Sequence, residues 1–137
     1  MRKTILLAAC AVFGVFGAVV RTHHSFAAEF DGSAIQTIKG TVVEFQWMNP
    51  HAYLVVEVTD ASGKKATWGI QSRNLSILKR QGLSKQTFQP GELVTVELYH
   101  HHDRLKNIGF ARYITKANGT TYDLIPGGRG GVVPANP

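Results

Sequence analysis

Apolar and polar residues alternate with a period of two through most of the chain after residue 37, the pattern of strands buried on one face. Residues 38–48 read as a first strand, with Val43, Phe45 and Trp47 expected on one face. Gly40 within it relieves crowding or marks a bulge. Asn49-Pro50-His51 interrupts the run, because proline lacks the N–H that a strand ladder needs. Residues 52–60 resume as a second strand with Leu54, Val56 and Val58 inward, and Asp60-Ala61-Ser62-Gly63 makes a turn. Residues 65–71 return as a third strand carrying Ala66, Trp68 and Ile70 inward.

The period then changes. Ser72-Arg73-Asn74 offers N-cap oxygens, and Leu75, Ile77 and Leu78 form a short apolar stripe that ends at Gly82, which predicts a helix of two to three turns. Residues 83–89 predict a capped turn or a second short helical piece. Pro90-Gly91 turns the chain into a fourth strand over 92–100, with Val94, Val96 and Leu98 alternating against Thr95, Glu97 and Tyr99. A fifth strand follows over 108–116. Asn118-Gly119 is a hairpin signal, with a short returning edge strand at 120–124. Residues 126–137 are rich in glycine and proline and predict a flexible tail.

Three strands, one helix and two strands is the order of the OB fold. The expected class is therefore mainly β, a five-stranded OB-like barrel with one short helix between strands 3 and 4. OB folds bind ligands between the first-to-second and fourth-to-fifth strand loops. Here those loops hold His51 and His100-His101-His102, so the order predicts that these histidines converge on one rim.

The first 22 residues follow a different pattern. Arg2 and Lys3 precede an apolar run over residues 4–20, the layout of a secretory signal, so this segment is set aside from the fold. The expected organisation is a signal peptide over 1–22, one domain over 23–125 and the tail over 126–137. Small residues fit a cut before His23 or an earlier one before Ala18. Leu7-Ala8-Ala9-Cys10 resembles a lipoprotein cleavage box, but the apolar run continues past the cysteine. The expected location is the periplasm or the exterior, with membrane contact only through the signal segment.

Composition changes with that exclusion. The full 137-residue chain carries +6, but Arg2, Lys3 and Arg21 belong to the leader. Removing them leaves 12 basic and 9 acidic side chains, a balance of +3 and too mild for a nucleic-acid footprint. The single cysteine is Cys10, so residues 23–137 have neither a disulfide nor thiolate chemistry.

His23-His24-Ser25-Phe26-Ala27-Ala28-Glu29-Phe30-Asp31, Gly40-Thr41-Val42, Trp47-Met48-Asn49-Pro50-His51-Ala52, Trp68, and Leu83 with Pro90-Gly91-Glu92 resemble a family of small exported bacterial proteins of unknown function. The similarity spans most of the chain after the leader. Its most specific parts are the double histidine and the Asn-Pro-His-Ala turn. The resemblance implies a periplasmic β-barrel domain and supplies no activity or cofactor. Val20-Arg21-Thr22 departs from the alanine-ending signal of typical members, and the triple histidine adds to their pattern. Only His23, His24 and His51 carry over as family positions.

Neutral imidazole is a common ligand for zinc and copper. Alternate strand residues face the same way, so His100 and His102, with His51, make a three-imidazole set. A free amine at His23 would add nitrogen ligands suited to Cu(II). The candidate metal residues are therefore His23, His24, His51, His100 and His102, with copper or zinc as the expected ion. Nothing assembles a catalytic constellation: Ser25 beside His24 is a neighbour pair, and the glycine run at 127–131 has no strand before it and no helix after it to cradle a phosphate. Phe45, Trp47, Tyr53 and Trp68 resemble a base-stacking platform, but core packing accounts for the first two, and nucleic acid is not an expected partner.

The sequence thus predicts a non-enzymatic exported binding module holding copper or zinc. The alternative is a metal-free adaptor whose OB face docks a periplasmic protein or a small ligand. Intact mass of the secreted protein should place the new N-terminus shortly before His23; Met1, or a lipidated Cys10, would overturn the reading of the leader.

Overall fold

The alternation resolves into one seven-stranded sheet with two short helices, in a computed structural model that describes residues 25–128 and 130–135. In chain order the elements are α1 (Phe26–Glu29), β1 (Phe30–Gln46), β2 (Tyr53–Thr59), β3 (Lys65–Gln71), α2 (Leu75–Arg80), β4 (Leu93–His101), β5 (Ile108–Lys116), β6 (Thr121–Asp123) and β7 (Gly131–Val133). The strands lie in the order β3-β2-β1-β4-β5-β6-β7, antiparallel at each neighbour. A further, parallel pairing joins β3 to β5, with Gly69, Ile70 and Gln71 opposite Ile108, Gly109 and Phe110. β5 therefore shares its second edge: its first residues pair with β3, and Tyr113–Thr115 pair with β6.

The mainly β class and the helix between the third and fourth strands match the sequence pattern; the strand count does not. Seven strands form instead of five. The sixth is the returning edge strand after Asn118-Gly119, where Gly119 takes the positive φ (+87°) that the turn requires. The seventh, β7, forms inside the predicted flexible tail by pairing Gly131, Val132 and Val133 with Asp123, Tyr122 and Thr121. Backbone groups on the open edge of β6 recruit it, and this needs no apolar pattern, since Val132 and Val133 stay exposed. β1 is also longer than the alternation suggested. Its polar first half is held by β4 at both ends, with Phe30 opposite His101 and, after an irregular stretch over 31–34, a ladder from Ile35 opposite Tyr99 to Thr41 opposite Leu93.

The face assignment in β1 needs a second correction. A register shift between Val42 and Glu44 makes Val43 an extra residue, so Val42 and Phe45 both point inward while Val43 is 49% exposed. The Pro90-Gly91 turn braces this bulge: Gly91 N–H donates to Val42 O, and Val42 N–H donates to Glu92 O, both at 2.8 Å. β2 and β3 keep their predicted phase. Leu54, Val56, Trp68 and Ile70 are buried, together with Val94, Val96 and Leu98 of β4 and Ile114 of β5.

α2 is short, and its ends are defined by side chains. Asn74 Oδ1 accepts from Ile77 N–H at 3.0 Å, and Asn49 Oδ1 accepts from Leu75 N–H at 3.1 Å. The Asn-Pro turn is thereby tied to the helix start. Leu78 drops into the core, and Gly82 (φ +84°) closes the segment. The piece after Leu83 is a capped turn, in which Ser84 N–H donates to Thr87 Oγ1 and Thr87 N–H donates to Ser84 O.

Trp68 is 7% exposed on the inner face of β3 and meets the His100 ring edge-on at 5.3 Å. Trp68→Ala should cost about 3–5 kcal/mol in denaturant unfolding. A loss of less than about 1 kcal/mol would contradict burial of that face.

Candidate ligand cavity

One end of the sheet carries a cavity of about 280 Å³. Its walls come from Ser25 and α1, the start of β1, the β1–β2 turn, the end of β3, the approach to α2, and Phe110 of β5. Phe26 sets the apolar side. Its ring centroid lies 5.1 Å from Tyr99, 5.5 Å from Phe110 and 5.7 Å from Phe30, so a four-residue helix is anchored by one aromatic side chain. The segment after β4 holds α1 from outside: His102 N–H donates to Glu29 O at 3.0 Å, and His102 Nε2 donates to Ala27 O at 3.0 Å. Arg104 pairs with Asp31 at 2.6 Å in the same seam.

The polar side is built from residues 71–74 against the Asn-Pro-His-Ala turn. Ala52 N–H donates to Arg73 O, and Ser72 N–H donates to Ala52 O, which continues the β2–β3 ladder past its last strand residue. Gln71 is buried and accepts a hydrogen bond from the Tyr53 hydroxyl at 3.1 Å. His51 Nδ1 lies 3.1 Å from Ser72 O. A carbonyl oxygen only accepts, so this nitrogen carries the proton and the neutral ring keeps its lone pair on Nε2.

Two groups here are electrostatically displaced. Burial lowers the pKa of the Arg73 guanidinium, opposed in part by the Asp123 charge. Burial, and secondarily the Glu29 charge, raises the pKa of the Tyr53 phenol. Arg73 Nε donates to Leu124 O at a long 3.3 Å, while Arg73 Nη2 and Ser72 Oγ are buried with no hydrogen-bond partner. Two orphaned polar atoms on adjacent residues, at the edge of a cavity, mark a place where the fold gives up some stability.

Of the candidate metal residues, His23 and His24 lie outside the described residues, as do the leader and Arg129. His51 lines the cavity. His100 is buried, with Nδ1 2.9 Å from His101 O. His102 is exposed and bonded to Ala27. The strand ends at His101, so the alternation expected to pair His100 with His102 stops one residue short. His101 instead accepts the Asp103 N–H on Nδ1 at 2.9 Å. Among the described residues, no group of three or more His, Cys, Asp or Glu side chains is placed to hold a metal ion. The structure thus brings α1, rather than the triple histidine, against His51. Sequence reasoning passed over Phe26, Phe30, Phe110, Gln71 and Arg73 as cavity residues. The one visible signal was the Phe26–Phe30 pair beside the double histidine.

Tyr53 provides a test of this geometry. In a spectrophotometric titration Tyr53 should ionise above the ordinary phenol value, so the difference between the unaltered protein and Tyr53→Phe should be a high-pH phenol step. The folded state favours the neutral phenol, so its contribution to stability is complete at neutral pH and is lost as pH rises through the folded-state pKa. A difference step at or below the ordinary phenol value would contradict the buried placement.

Neither a curated protein nor a solved structure matches the chain. A family match does exist, and it spans the end of the N-terminal apolar run, the double histidine, the Asn-Pro-His-Ala turn and the strands through the start of β5. Over residues 12–109 the sequence fits the family of unknown function DUF6152, and the chain belongs to that family.

Proposed function

We propose that this protein is an exported binding module, an OB-like five-stranded barrel extended by β6 and β7, that takes a small ligand in the α1 cavity. The closed circuit of pairings β3-β2-β1-β4-β5-β3 supports the barrel reading. The basic start and the apolar run over residues 4–20 support export. The cavity carries the ligand reading: Phe26, Phe30, Ile77 and Phe110 supply apolar wall, and Glu29, His51, Gln71 and Arg73 supply a few polar groups. That mixture is the usual make-up of a small-molecule site, and about 280 Å³ falls at the small end of the range of such sites.

A second reading, copper or zinc, has its own observation. His51 donates one ring nitrogen to a backbone carbonyl and keeps the other as a lone pair, the orientation that metal-binding histidines take. His24 is peptide-bonded to Ser25, a wall residue, so His23, His24 and His51 form the favoured ligand set. His100 and His102 also keep one unprotonated nitrogen each when neutral, by the same carbonyl argument.

The experiment is amide chemical-shift mapping on protein purified with its native N-terminus, titrated with a panel of small aromatic and aliphatic fragments. Shifts should concentrate at residues 25–30, 71–74 and 108–110, and Ile77→Trp, which fills the cavity, should abolish them. Fragments that perturb only residues outside this set would overturn the ligand reading. In a parallel Cu(II) titration, a tenfold weakening in His51→Ala, about 1.4 kcal/mol, would favour the second reading.

A further inference from the structure

The polar groups of the cavity are unequal, and the inequality selects a ligand chemistry. This step rests on the cavity being a ligand site, as proposed above. Arg104 and Arg112 each meet a carboxylate, Asp31 and Glu97 respectively, at 2.6 Å. Arg73 has no carboxylate at ion-pair distance among the described residues. Its Nε makes one long bond to Leu124 O and its Nη2 is shielded from solvent without a partner, so Nη1, which makes no hydrogen bond, is the guanidinium nitrogen left for a ligand in the cavity. A half-buried guanidinium offset only by the more distant Asp123 charge gains from further acceptor oxygens, and a carboxylate supplies a charge that no neutral group does. The opposite wall is aromatic. A cavity of about 280 Å³ suits a small ligand such as one ring bearing one carboxyl.

We infer that the cavity binds a small monocarboxylate with an apolar or aromatic body, its carboxylate on Arg73 and its body against Phe26 and Phe110. Glu29 also lines the cavity and would oppose an anion placed beside it. Its charge acts on Tyr53, which pairs with Gln71, whereas Arg73 leans on Leu124. His51, next to Ala52, which pairs with Arg73 through its backbone, is a further donor or acceptor among the wall residues.

The test compares three probes of one shape on the full secreted protein by calorimetry: benzoate, benzyl alcohol and benzylamine. Benzoate should bind at least tenfold more tightly than the other two. Arg73→Gln should remove that preference while leaving benzyl alcohol within about twofold, and Arg73→Lys, which keeps the charge, should recover part of it. Equal affinity for benzoate and benzyl alcohol in the unaltered protein would overturn the carboxylate assignment and leave the cavity reading standing. Tightest binding of benzylamine would overturn it in favour of a cation held by Glu29. Failure of all three probes, together with silent shift maps across the wider panel, would overturn both readings. Because the probe comparison is made on the unaltered chain, a variant that fails to fold does not block the decision.

Discussion

The fold depends on the bend in β1. This one strand pairs with β4 along its first part and with β2 along its last, and the two edges change over at Thr41, which faces Leu93 on one side and Glu57 on the other. Gly40 stands at that point because a Cβ there would collide with Glu57 O and Val56 Cγ1. The bulge at Val43 then rotates the strand so that both halves keep apolar residues inward. Without that bend β2 and β3 would splay from β4 and β5, and the parallel contact between Gly69–Gln71 and Ile108–Phe110 would not form. Gly109 plays a matching part across the sheet, since a Cβ there would meet Leu98 Cδ1 at 2.6 Å and Tyr99 O at 3.0 Å.

The cavity is a consequence of this closure. It lies where the end of β3, the start of β5 and the start of β1 meet, lined there by Gln71, Phe110 and Phe30. α1 covers it. Four residues cannot form a stable helix alone, since nucleation fixes several dihedrals for a single hydrogen bond. Phe26 packed on Phe30, Tyr99 and Phe110, and two hydrogen bonds from His102, hold it instead. The triple histidine has a structural use here: His100 packs on Trp68, His101 orders the turn at Asp103, and His102 clasps α1.

The polar residues after β3 show the opposite balance. Gln71, Ser72 and Arg73 extend the β2–β3 ladder through their backbones, but two of their side-chain atoms are buried without partners. Other charged groups on the sheet find opposite charges, as where Arg112 meets Glu97 and stacks over Tyr99 and Tyr113, although Arg112 Nε is also buried without a partner. Of the four buried unpartnered side-chain atoms among the described residues, two fall on adjacent residues at this cavity, and the others are Gln81 Oε1 and Arg112 Nε.

The sequence by itself determined the β class, the strands from 53 to 116, the position of the single helix between β3 and β4, the turns at Gly63, Gly82, Gly91 and Gly119, and the burial of Trp68. All of these follow from local rules: side-chain period, missing donors at proline, and positive φ at glycine. Only the tertiary structure decided the rest. The first half of β1 and all of β7 are extended because a neighbouring strand offers hydrogen bonds, and backbone pairing leaves no mark on side-chain pattern. The bulge at Val43 reverses a face by one residue, which a period-two reading cannot register. The site was half legible for the same reason. His51 stood out by its turn, but whether it meets His100 or Phe26 depends on where two distant segments pack, and that is set by the bend at Gly40 and by the aromatic seat of α1.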